Sequence, residues 1–187
     1  HSQGTFNMKD IPEIWNLIKT HAKFSGLSVL AIHSMAIMGI FAMVPLYLET
    51  DLDMQPNQTG ILFSLMVLMG GIGAPLLGRL GDTKYHGQIV AIALIISTCS
   101  IIIFVTSPYF PIKLLGLLSI GFMLIGLRPI LLASVLQTMK DRQTTLIGII
   151  MAGGEVMGAF GSLIAGMIGE IDLGLAIIFA AALTTIA

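Results

Sequence analysis

Charge is scarce in this chain. Asp, Glu, Lys and Arg make up 10% of its 187 residues, where an ordinary soluble domain carries about 25%. Aromatic residues are few as well, at 7%, with a single Trp. The lone cysteine, Cys99, excludes a disulfide within the chain, and its place in an apolar run leaves the redox compartment unread. A net charge of −1 offers no basic surface, so nucleic acid is not an expected partner. His, Cys, Asp and Glu do not cluster at metal-ligand spacing. No glycine loop is built to cradle phosphate, and no nucleophile stands with a base and an orienting group. The expectation is therefore no catalytic residue, no metal, no cofactor, and a protein that is not an enzyme. No short apolar leader with a small-residue cleavage site is present. The chain opens on His1 without Met and its last apolar run stops at Ala187, so it reads as a piece of a longer protein.

Hydrophobicity fills the space that charge leaves. The chain is 56% hydrophobic, with mean hydropathy +0.96, which is the composition of an all-α polytopic membrane protein. Runs of spanning length fall at 24–48, 59–78, 88–106, 112–136 and 144–168, and a shorter one begins at 173. Six transmembrane helices are expected, the last truncated, in a domain of 24–187. Residues 1–23 form a preceding segment. There Asp10 and Glu13 match a capping box and Pro12 suits a first turn. Ile11, Ile14, Trp15, Ile18 and Ala22 share one face, and Glu13, Asn16, Lys19, Thr20 and Lys23 the other. That pattern fits an amphipathic helix lying in the bilayer interface.

The basic residues sort by side. Lys9, Lys19, Lys23, Arg79, Lys84, Lys140 and Arg142 flank alternate ends of the runs and share one side; the opposite loops hold only Lys113, among Glu49, Asp51, Asp53, Glu170 and Asp172. Positive charge stays on the cytoplasmic side, so both ends of this chain are expected there. Asn57-Gln58-Thr59 is formally a glycosylation sequon, but it abuts the second run, and Asn57 or Thr59 is expected as a helix cap instead.

Small residues at 70, 74 and 78 lie four apart, and Gly70 with Ala74 is expected to admit a neighbouring helix at close range, as are Gly154 and Gly158 in the fifth run. The glycine-rich helix is the middle one of spans one to three and again of spans four to six, a faint internal repeat.

Between the second and third runs the chain reads Gly78-Arg79-Leu80-Gly81-Asp82-Thr83-Lys84-Tyr85-His86-Gly87. This resembles the signature loop of the major facilitator superfamily of secondary transporters, G-x-L-[AG]-D-R-x-G-R-[RK] with an aliphatic residue three positions on. Gly78, Leu80, Gly81, Asp82 and Val90 match; Thr83, Tyr85, His86 and Gly87 depart, so the basic end is weak, as is common in the copy of the loop in the family's second half. Six spans behind a cytoplasmic segment likewise resemble the C-terminal half of that twelve-helix fold. Pro45-Leu46-Tyr47-Leu48 and the stretch from Gly60 to Asp82 look like the drug-efflux branch. The resemblance implies that the loop, with Arg79 and Lys84 beside Asp82, gates transport, Asp82 latching one end state against the other half.

Charges within a membrane cost roughly 2.5–3.5 kcal/mol at a helix centre on insertion scales, so each needs a reason. Arg128 in the fourth run and Glu155 in the fifth are the two, and His33 in the first is a third titratable group. At 1.5 Å per residue they lie roughly 12, 17 and 14 Å from the cytoplasmic end, in one layer, where opposite charges can pair. Burial penalises the ionised form of a carboxyl, which suits Glu155 to reversible protonation or to a cationic substrate. Arg128 is its expected counter-ion or an anion-binding group; His33 is a candidate proton relay, with a neutral histidine bonded to a neighbouring helix as the simpler reading. Together with the resemblance this implies transport of a small molecule by alternating access, as proton-coupled efflux by an antiporter of the plasma (bacterial inner) membrane. The expected partners are the lipid bilayer, a missing N-terminal six-helix half, a small-molecule substrate and protons. The alternative is a non-transporting sensor or assembly partner of the same fold.

Overall fold

An apolar chain in lipid finds no hydrogen-bond partner outside itself, so each run must close its backbone bonds within a helix. A computed structural model describes residues 21–81, 86–137 and 143–187. Helix α1 is His21–Thr50, α2 Pro56–Gly81, α3 His86–Thr106, α5 Gln143–Gly169 and α6 Leu173–Ile186. Helix α4 is continuous but in three pieces: α-helical Phe110–Ile120, π-helical Gly121–Ile125 and α-helical Gly126–Gln137. Among the described residues, five helices are long and apolar enough to cross a membrane, and α6 is a shorter apolar helix. The expected runs coincide with these helices. The amphipathic segment expected before residue 24 lies outside the described residues as far as residue 20.

The connections are short and locally held. Asp53 takes a φ of 50° between α1 and α2, a left-handed position that Asp tolerates better than most side chains. The cap of α2 differs from expectation. The helix starts at Pro56, so Asn57 and Thr59 fall inside its first turn. The Gln55 N–H donates to Gln58 Oε1 at 3.3 Å, as in a capping box, because proline at the first helical position moves the cap one residue before it. Asp172 caps α6, its Oδ1 accepting from the Leu175 N–H at 2.8 Å. Replacing it with Ala is expected to lower stability by about 1 kcal/mol, and with Asn by much less; thermal unfolding in detergent of the two variants checks this.

The packing repeats itself. Helix α1 lies against α5 and α6; α4 lies against α2 and α3; α3 meets α6. Exchanging the first three helices for the last three leaves this pattern unchanged. Atomic detail follows. A Cβ on Gly161 of α5 would meet the Met35 carbonyl oxygen of α1 at 2.3 Å, and one on Gly73 of α2 would meet the Phe122 carbonyl oxygen of α4 at 2.3 Å. A Cβ on Gly158 would meet the Met38 side chain at 2.6 Å, and one on Gly70 the Ile125 side chain at 2.6 Å. The same pair of contacts, glycine to backbone and glycine to side chain, occurs in both halves. Three-helix repeats of this kind are a feature of transporter folds.

Between helices, apolar packing is supplemented by hydroxyls. Ser100 Oγ donates to Ser119 Oγ (2.8 Å) between α3 and α4, Thr98 and Thr184 share a bond of 2.8 Å between α3 and α6, and Ser162 Oγ donates to the Met38 carbonyl (3.1 Å) between α5 and α1. Such bonds are worth about 0.6 kcal/mol each in lipid, so close packing, not polar glue, holds the bundle.

The π-helical turn in α4 has a local cause. Pro129 has no N–H for the Ile125 carbonyl, and its ring would crowd that carbonyl in a regular helix. One wider turn ending at Ile125 relieves the clash. Gly121 and Gly126 bracket the turn and let it press on α2, where Cβ atoms would stand 2.0 Å from the Met66 carbonyl oxygen and 2.9 Å from the Gly73 carbonyl carbon. The turn therefore sets the rotation of the piece of α4 that carries Arg128.

Candidate functional site

Arg128 lies three residues past the end of the π-helical turn, and Glu155 lies midway along α5. Arg128 Nη2 donates to Glu155 Oε1 in a charge-assisted ion pair. Neither side chain is buried: Arg128 is 35% exposed and Glu155 54%. Gly154, next to Glu155, is buried, and a Cβ there would reach Ser34 Oγ of α1 at 3.3 Å. Helix α5 can thus carry a carboxylate past α1 without a side chain in the way.

His33 lies on α1, fully buried. Its ring faces the Leu124 carbonyl of the π-helical turn, with Arg128 in electrostatic reach. Among the described residues neither ring nitrogen completes a hydrogen bond, although a buried imidazole left unpaired costs about 1–3 kcal/mol. The structure brings Arg128 and Glu155 together, and places His33 near the pair but bonded to neither.

Other candidate residues take varied positions. Gly70 is buried against α4. Ala74 is half-buried, its backbone nitrogen 3.1 Å from where a Cβ of Gly126 would sit. Gly158 packs on Met38. Gly78 has nothing within 4 Å of its Cβ position. The contact stripe of α2 is Met66, Gly70, Gly73, Leu77 and Gly81, not the four-residue ladder 70, 74, 78. Arg79 is exposed in the last turn of α2, where a cation favours the negative end of the helix dipole. Leu80 is 54% exposed. Gly81 is buried against Ile130, and its carbonyl lies 2.9 Å from His86 Nδ1 across the loop. Asp82 and Lys84 lie outside the described residues.

Lys113 corrects an expectation. Assigned from the sequence to an outer loop, it is instead in the first turns of α4 and 8% exposed. Its Nζ donates to Tyr47 Oη (2.9 Å), the Phe104 carbonyl (3.0 Å) and the Val105 carbonyl (3.0 Å). All three of its protons are used, at the C-terminal end of α3, and the charge lies over the Tyr47 ring at 5.2 Å. The signal was present in the sequence: Lys113 is flanked by apolar residues and follows Pro111, which starts a helix well.

Among the described residues, no group of three or more His, Cys, Asp or Glu side chains is placed to hold a metal ion. What the pair can do chemically is hold a charge balance within the bundle that protonation of one partner would break.

Comparison with curated proteins gave no match. Comparison with solved structures also gave none. A family profile does match, that of the Major Facilitator Superfamily, over residues 9–187. An apolar helical bundle with a repeated three-helix packing and an intramembrane ion pair accords with it, and the chain, an integral multi-pass membrane protein, belongs to the Major Facilitator Superfamily.

Proposed function

We propose that this chain is the C-terminal six-helix half of a major facilitator transporter that moves a small molecule by alternating access, coupled to protons through Glu155. The observation that carries this reading is the exposed ion pair. A carboxylate 54% exposed in a span would be costly against lipid. The face of α4 and α5 that carries Arg128 and Glu155 therefore lines an aqueous or substrate cavity, closed on the far side by the N-terminal half. In one state Arg128 and Glu155 are paired. A proton arriving on Glu155 dissolves the pair, freeing Arg128 and altering the charge that a substrate meets. The two halves rock about this face, with the loop at Gly78 to Lys84 as a cytoplasmic latch. The drug-efflux branch, with export across the plasma membrane by proton antiport, fits the stretch around Pro45 and that from Gly60.

The experiment is proton-driven efflux of a fluorescent lipophilic cation, ethidium, from everted vesicles bearing the full-length protein. Glu155→Gln is expected to abolish the dependence on the proton gradient. A variant that remains coupled like the wild type overturns the role of Glu155, and a wild type that moves no ethidium overturns the drug-efflux assignment.

A further inference from the structure

Between α1, α4 and α5, beside Arg128, lies a small, partly open cavity of about 20 Å³. Ser34 and Arg128 are its polar lining, with Leu30, Leu132, Ile150 and Gly154 as apolar walls. We propose that this cavity is a site for one ordered water molecule, held by Ser34 Oγ and the Arg128 guanidinium, and that Ser34 is through it a positioning residue for the pair.

Three observations lead there. The first is the behaviour of Ser34. In these helices Ser97, Thr98, Ser100, Ser162 and Thr185 all turn their hydroxyls back to the carbonyl four residues earlier. Ser34 is buried, 3% exposed, and lines this pocket, yet among the described residues its hydroxyl makes no such back-bond. The second is size. A cavity holds one water once it offers about 10–15 Å³ to the probe centre, and the water needs two to four polar partners. This one clears the first bound and supplies two partners. The third is the donor count of Arg128. A guanidinium has five N–H donors in a rigid fork, and the bond to Glu155 uses one. A water oxygen in the cavity accepts from the guanidinium and gives a proton to Ser34 Oγ.

Such a water would hold the guanidinium at a second point besides its bond to Glu155. Gly154 matters here as well, since its missing side chain leaves Ser34 Oγ room at 3.3 Å. The site goes beyond the coupling reading and rests only on the ion pair.

The test is a high-resolution structure of the full-length protein, with thermal unfolding of Ser34→Ala, Ser34→Thr and Arg128→Gln. Ordered density between Ser34 Oγ and the guanidinium is expected in the wild type and in Ser34→Thr, and is lost in Ser34→Ala. Ser34→Ala is expected to lower the unfolding temperature by about 2 °C or more, Ser34→Thr to restore it, and the effect of Ser34→Ala to vanish in the Arg128→Gln background. A site without density overturns the proposal, as does an equal loss from Ser34→Ala in both backgrounds. Neither readout involves substrate flux, so failure of the coupling reading and failure of this site are told apart.

Discussion

Substituting Ala for Gly121 or Gly161 is expected to cost about 3 kcal/mol, at the upper end for an overpacked interior, and to lower the unfolding temperature or the yield of monodisperse protein sharply. The added methyl would stand 2.0 Å from the Met66 carbonyl oxygen in the first case and 2.3 Å from the Met35 carbonyl oxygen in the second. Both obstacles are backbone atoms of a neighbouring helix, so no rotamer change relieves them. The helices must part, and the contacts along the seam go with them. Gly158→Ala is expected to cost less, because its nearest obstacle is Met38 Cγ at 2.6 Å, part of a flexible side chain. Gly166→Ala is the control. Nothing lies within 4 Å of its Cβ position, and Ala gains as much as about 1 kcal/mol over Gly in a helix interior. Equal losses at Gly166 and Gly161 would overturn this account of the packing.

That ranking was not legible in the sequence. The existence and order of the helices were, because a run of apolar residues in lipid has little choice but to close on itself. A glycine ladder at 70, 74 and 78 was a reasonable expectation for close approach, yet Gly78 faces open space while Gly73 and Gly81 meet α4. The contact face of α2 is set by its partner, and that partner has a π-helical turn that a hydropathy pattern does not register. Pro129 removes one backbone donor there, but a missing donor alone does not say which form the helix takes around it. The internal repeat was visible only as a common wealth of glycine. The contacts Gly161 to Met35 and Gly73 to Phe122 give it content, since they occupy matching places in the two three-helix units.

The site divides in the same way. Arg128 and Glu155 stood out because charge in an apolar run demands compensation, and similar depth made a pair foreseeable. Ser34 did not stand out, since serine is ordinary in membrane helices; only the cavity it lines with Arg128 distinguishes it. Asp82 and Lys84, on which the latch of the signature loop turns by resemblance, lie outside the described residues, so that reading still rests on the motif.

Lys113→Met is expected to cost about 2–3 kcal/mol, independent of salt. Two terms compete. Removing the ammonium spares the desolvation of a charge, which favours the variant. It also strips the last turn of α3 of its cap: the Phe104 carbonyl loses its donor, and the Val105 carbonyl keeps only the weaker bond from Tyr47 Oη at 3.3 Å. A bond from a charged donor is worth about 1.5–3 kcal/mol. The negative end of the α3 dipole adds up to about 2 kcal/mol for a cation in partly buried geometry. Together they exceed what Met recovers by packing. The partners are dipoles and rings shielded from solvent, so ions in the buffer screen them little, unlike an exposed surface pair. Tyr47→Phe removes one of three acceptors and is expected to cost about 1 kcal/mol. Unfolding of both variants at low and high salt checks the argument. A Lys113→Met protein as stable as the wild type would mean that desolvation outweighs the cap.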